Sequence, residues 1–169
     1  MGKVRMRKGS SGKAALRAAL ASLLLLALSA ACTGDTVYFQ SCAVPAGGWE
    51  RTTALLFDIP PAAREGVYGE TVSLRTDSRY PYTSLTMTVE QTALPAGIVL
   101  TDTLVCPLTD GKGFAAGRGT ALLQHSFDLR SVTLCEGDSL HIVIRHCMAG
   151  EALEGLADVG VRVYMTEQQ

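Results

Sequence analysis

Leu85-Thr86-Met87-Thr88-Val89-Glu90 alternates without a break: Leu85, Met87 and Val89 share one face, and Thr86, Thr88 and Glu90 the other. A period of two marks a strand with one face buried and one wet, because successive side chains of an extended backbone point to opposite sides. The same period recurs along the chain. Val72 and Leu74 alternate with Thr71, Ser73 and Arg75; Leu140, Ile142 and Ile144 with His141, Val143 and Arg145; Val159, Val161, Val163 and Met165 with Gly160, Arg162 and Tyr164. Val37 to Ser41, Thr53 to Ile59, Ile98 to Val105 and Gln124 to Leu129 are further candidate strands. Pro45-Ala46-Gly47-Gly48, Pro60-Pro61, Pro95-Ala96-Gly97 and Pro107 separate them, since proline cannot continue a ladder. Only Glu151 to Leu156 suits a turn or so of helix. The pattern predicts an all-β domain, an antiparallel β-sandwich of jelly-roll or immunoglobulin-like type, with a closed barrel as the alternative.

Upstream the chemistry changes. Lys3, Arg5, Arg7, Lys8, Lys13 and Arg17 precede an apolar run from Ala18 to Leu28, and Leu28-Ser29-Ala30-Ala31-Cys32 follows. A basic start, a short apolar run and small residues at a junction make a bacterial export signal. The run is about half the roughly 20 residues that a spanning helix needs. The junction resembles a lipobox, where small residues admit a peptidase just before a cysteine that carries lipid; Ser29 stands where leucine is commonest, with Leu28 one further back. The expected organisation is a lipoprotein signal peptide over 1–31, a lipidated tether over 32–36 beginning at Cys32, and one domain over 37–169. Ordinary secretion, with cleavage near Ala31, is the alternative.

Removal of that segment takes six basic residues and no acidic ones. From Cys32 onward nine basic residues face sixteen acidic ones, a formal charge of −7. A net-acidic domain without a basic stripe argues against nucleic acid as a partner. Membrane attachment then rests on the lipid at Cys32 rather than on charge. Cys42, Cys106, Cys135 and Cys147 remain, an even count in an oxidising compartment, which suggests one or more disulfides with the pairing open.

The search for catalytic groups returns none. His141 and His146 lie five apart on one strand and so point to opposite faces, while His125 and His146 fall on core-facing positions. No metal site, cofactor or nucleophile elbow is expected, and Gly111-Lys112-Gly113 lacks the spacing of a phosphate loop. The densest stretch for recognition is Leu74 to Ser84, where Arg75, Arg79, Tyr80 and Tyr82 flank Pro81 between two strands. Such residues suit protein contacts. Equally, Tyr80 and Tyr82 cap a sandwich and Arg75 pairs with an acid on the next strand. Asp110 to Gly119, with Lys112 and Arg118, reads as an ordered excursion over one end of the domain, where loops carry function. Trp49, following a loop, suits a plug for the core. In the alternative of a carbohydrate-binding lipoprotein, Trp49, Tyr80 and Tyr82 are stacking platforms.

Three segments carry a resemblance: LRTDSRYPYTSL over 74–85, TDTLVCPLTDGKGFAAGRG over 101–119, and LADVGVRV over 156–163. In order and spacing they resemble the gliding-motility-associated lipoprotein H family (GldH), from roughly Val37 to Met165. Phe114 follows Gly113 where relatives carry Trp after the lysine, and Cys106, Cys135 and Cys147 are not family features. The resemblance implies a non-enzymatic, lipid-anchored outer-membrane lipoprotein linked to the gliding and surface-protein secretion machinery. It implies partners among other envelope lipoproteins or proteins of that machinery, no cofactor, and Cys32 as the lipidated residue.

Overall fold

A computed structural model describes residues 36–166. The signal segment, Cys32 and most of the tether lie outside the described residues. Eleven strands run through the described chain: β1 (Thr36–Ala43), β2 (Trp49–Glu50), β3 (Leu55–Ile59), β4 (Gly66–Thr76), β5 (Ser84–Leu94), β6 (Ile98–Pro107), β7 (Leu123–Asp128), β8 (Val132–Leu134), β9 (Ser139–His146), β10 (Ala152–Leu153) and β11 (Leu156–Met165). No helix occurs among the described residues. One sheet has the order β1-β11-β4-β7, with β8 also pairing β4; a second has the order β3-β9-β5-β6. Every pairing is antiparallel.

The alternation read from the sequence is what the sheets bury. Leu85, Met87 and Val89 of β5 meet Ile142 and Ile144 of β9 and Val72, Leu74, Val159, Val161 and Val163 of the other sheet in one core cluster. Burying each large apolar side chain contributes roughly 1.5–3 kcal/mol. The core therefore lies between the two sheets, and their outward residues meet solvent.

Three features depart from the sequence reading. β4 starts at Gly66, well before Val72, because Gly66, Gly69 and Glu70 interrupt its apolar alternation while the backbone still pairs with β8 and β11. β8, only three residues long, carries too short a pattern to stand out. Glu151 to Leu156 is the short strand β10 and a turn into β11, not helix. Leu153 and Leu156 are both buried and three apart, which mimics a helical period. Yet Ala152 and Leu153 pair with Glu50 and Trp49, and Gly155 at φ +74° reverses the chain into β11.

Trp49 is 1% exposed and closes this end of the core. Its Nε1–H donates to the Thr53 carbonyl at 2.9 Å, and its ring meets His146 edge-on at 5.1 Å.

Candidate functional site

Three connections gather at one end of the described domain. The first, 77–83, joins β4 to β5. Asp77 N–H donates to the Gly155 carbonyl at 2.8 Å, which ties it to the β10–β11 turn. A Cβ at Gly155 would collide with the backbone of Tyr80, so glycine is needed there for space as well as for its positive φ. The second, 108–119, leaves β6 and is tied to the first where Leu108 N–H donates to the Thr83 carbonyl at 2.9 Å. Asp110 orders its tip: Oδ1 accepts from the backbone N–H of Lys112 and of Phe114, both at 2.9 Å. An acceptor that folds the backbone around itself is the usual work of an aspartate in a turn.

The side chains at this end divide by exposure. Tyr80 is half-buried, donates its hydroxyl to the Ser84 carbonyl at 3.1 Å, and meets Tyr82 edge-on at 5.9 Å. Burial pushes the Tyr80 hydroxyl pKa up, helped by Tyr82 and Cys106 nearby. Tyr82 is 40% and Phe114 70% exposed, with Lys112 also in solvent. Arg79 is clamped to Asp77, its Nη2 lying 2.7 Å from Oδ2, and these hydrogen bonds hold the Asp77 carboxyl below its usual range.

Of the six candidate contact residues, Arg79, Tyr80, Tyr82 and Lys112 share this end. Arg75 and Arg118 sit elsewhere together. Arg75 pairs with Asp158 on β11, and Gln124 of β7 lies opposite both Arg75 and Arg118, so the two arginines flank one glutamine on the outer face of the five-stranded sheet. Sequence reading missed Phe114 as the most exposed aromatic of the loop, although its place beside Gly113 was the available signal.

Trp49 is not a stacking platform: it is sealed in the core, so that part of the carbohydrate alternative fails. Cys42, Cys106, Cys135 and Cys147 are free thiols in the structure, where at least one disulfide was expected. Register separates two of them. Cys106 lies opposite Leu85 on one side of β5, and Cys147 donates to Thr86 from the other side. A strand between them puts their backbones about 10 Å apart, beyond disulfide reach. Burial pushes the Cys106 thiol up to about 12, so it stays protonated and unreactive.

The histidines take structural places. His146 Nε2–H donates to the Trp49 carbonyl at 3.0 Å, and burial lowers its pKa against that hydrogen bond. His125 is buried beside Thr76 and stacked on Phe127, its pKa lowered for the same reason. His141 pairs with Asp58 at 2.5 Å on the other face of β9. Among the described residues no three His, Cys, Asp or Glu side chains converge as a metal site.

One titratable group escaped the sequence reading. Glu70 of β4 is 1% exposed and accepts from Gln91 Nε2 at 2.6 Å across the core. Burial, with a lesser push from the Asp102 charge, raises its pKa from 4.5 to about 8 against the opposing Gln91 hydrogen bond. Its core-facing parity with Val72 and Leu74 was the signal.

The family profile described as GldH lipoprotein matches residues 36–163. The gliding motility lipoprotein GldH of Flavobacterium johnsoniae is 28% identical over 122 residues, which spans 68% of this chain and 76% of that protein. Among solved structures, Eiger TNF from S. frugiperda is similar with a TM-score of 0.35 and 12% identity, over 80% of this chain and 96% of that one. A likeness that loose carries no argument.

Proposed function

The chain belongs to the GldH lipoprotein family, and from that premise we propose that it is a non-catalytic, outer-membrane lipoprotein of the gliding machinery and its associated protein-secretion apparatus. Cys32 carries the lipid anchor. The domain docks on other envelope lipoproteins or proteins of that machinery. Its architecture is a jelly-roll sandwich: leaving aside the short β2, β8 and β10, the sheet orders β1-β11-β4-β7 and β3-β9-β5-β6 follow the two-Greek-key winding of that fold.

The observation that carries the docking surface is the loop end. It exposes Tyr82 and Phe114 on backbone that hydrogen bonds already order, beside Arg79 and Lys112. Large aromatic rings on ordered backbone lose little entropy on binding, and such residues dominate interface energies. The test is crosslinking in membranes followed by identification of the captured proteins. Wild type is expected to capture envelope proteins, and Tyr82→Ala with Phe114→Ala to lose them while still folding. Unchanged capture by the folded double variant rejects the surface. Intact mass of the extracted protein beside Cys32→Ala tests the anchor, and an unacylated wild type rejects it.

A further inference from the structure

The outer face of the five-stranded sheet holds a cleft of about 270 Å³, lined by Phe39 and Ser41 of β1, Ser73 and Arg75 of β4, Gln124 of β7 and Asp158 of β11. Register explains the gathering. Ala43, Asp158, Arg75 and Gln124 are cross-strand neighbours in one row, and Ser41, Gly160 and Ser73 in the next. Gly160 lets its neighbours close in over the floor: a Cβ there would lie 2.6 Å from Ser73 Oγ and 3.6 Å from Phe39 Cε2. The Phe39 ring, rooted on the edge strand, thus leans over the neighbouring strand while remaining 62% exposed.

The opposite end of the cleft is polar and electrically balanced. Arg75 Nε donates to Asp158 Oδ2 at 2.7 Å, and Arg75 Nη2 pairs with the same oxygen. Both donors end on Oδ2, which leaves Oδ1 of the 10%-exposed Asp158 side chain and the remaining guanidinium N–H groups to other partners. The Arg75 side chain is 49% exposed. Arg75 and Asp158 are the charged residues of the lining and cancel each other, so the cleft itself offers no net charge for a phosphate or a carboxylate to match. The backbone of β11 and β4 beneath is consumed by the sheet ladder, so an occupant over them is held by side chains.

We propose that this cleft binds a neutral saccharide unit. The apolar face of the sugar ring lies on Phe39, and adjacent hydroxyls bridge Asp158 Oδ1 and the Arg75 N–H groups. Gln124, Ser41 and Ser73, each both donor and acceptor, take the remaining hydroxyls. An aromatic wall with a few convergent polar groups is the general form of a small-ligand site. The site lies on different residues from the docking end and does not depend on it.

The test uses the full-length lipoprotein in detergent micelles on a printed array of neutral hexose, pentose and N-acetylhexosamine oligomers, with hits titrated calorimetrically. Binding is expected to be little affected by salt, because no net charge is matched. Phe39→Ala and Gly160→Ala, the second pushing Ser73 and Phe39 out of place, are each expected to weaken it by about tenfold or more. Leu56→Ser, at a half-exposed position on β3 of the other sheet, is expected to leave it unchanged. A blank array overturns the proposal, as does binding that survives both cleft variants or is confined to anionic glycans and lost in salt. Neither result touches the crosslinking outcome, so the two readings fail separately.

Discussion

The loop end and the outer sheet face each present a phenylalanine to solvent, Phe114 at 70% and Phe39 at 62% exposure, and each sets an arginine–aspartate pair nearby. They are built differently. At the loop end the pair Arg79–Asp77 is local, two residues apart, and the surface depends on hydrogen bonds between three connections. On the sheet face the pair Arg75–Asp158 spans 83 positions and is held by strand register. Loop surfaces adapt to a partner at the cost of easy disruption; a strand-built cleft is rigid, and its shape follows the sheet. The first suits a protein contact and the second a small rigid ligand.

The strongest way to break the comparison is to remove what both regions stand on. Trp49→Ala empties a sealed position, orphans the His146–Trp49 packing, and is expected to cost about 3–5 kcal/mol. Chemical denaturation should show that loss, with crosslinking and glycan binding failing together. A variant that keeps full stability would deny Trp49 its role as the plug.

Glu70 offers a second perturbation, in the core between the sheets. Its folded pKa of about 8 lies above the unfolded 4.5, so the folded state holds a proton that the unfolded chain releases. Stability is therefore fully present below about pH 4.5 and falls as pH rises toward 8, by up to about 1.4 kcal/mol per pH unit from this group. Glu70→Gln keeps a neutral side chain of the same shape and should flatten that slope. Urea unfolding across this range checks it, and parallel slopes in the two proteins would rule out a buried proton at Glu70.

Smaller changes should separate the regions. Gly155→Ala forces a side chain into a positive φ and against the Tyr80 backbone, at about 1–3 kcal/mol. Crosslinking of partners should drop while glycan binding persists. If both persist, the loop end does not need the packing described. Smallest of all, Phe114→Ala should shift stability by no more than about 0.5 kcal/mol, as an exposed substitution does, yet weaken partner capture. An equal loss of stability and capture would recast Phe114 as a packing residue.

Much of this was legible beforehand, for local reasons. The strands around Leu85–Glu90, Leu140–Arg145 and Val159–Met165 declare themselves because a half-buried strand writes its two faces into alternate residues. The family was legible in the segments from Leu74, Thr101 and Leu156, and the profile match over 36–163 agrees. The reading of Arg75 as the partner of an acid on the next strand was also available, since such a pair needs only a neighbouring strand. Glu151–Leu156 was misread because two buried leucines three apart look helical until a glycine reverses the chain. Glu70 was passed over because a carboxylate at a core position breaks the very pattern used to find the core.

The sequence by itself determined the all-β character, the breaks between strands, the basic and apolar segment that precedes Cys32, and the family. Only the tertiary structure decided that Trp49 is sealed while Phe114 is bare, that Glu70 meets Gln91, and that Phe39, Arg75, Gln124 and Asp158 share one cleft. The reason is physical. Periodicity is a property of neighbouring residues, whereas adjacency across a sheet joins residues tens of positions apart through register, which no local pattern encodes.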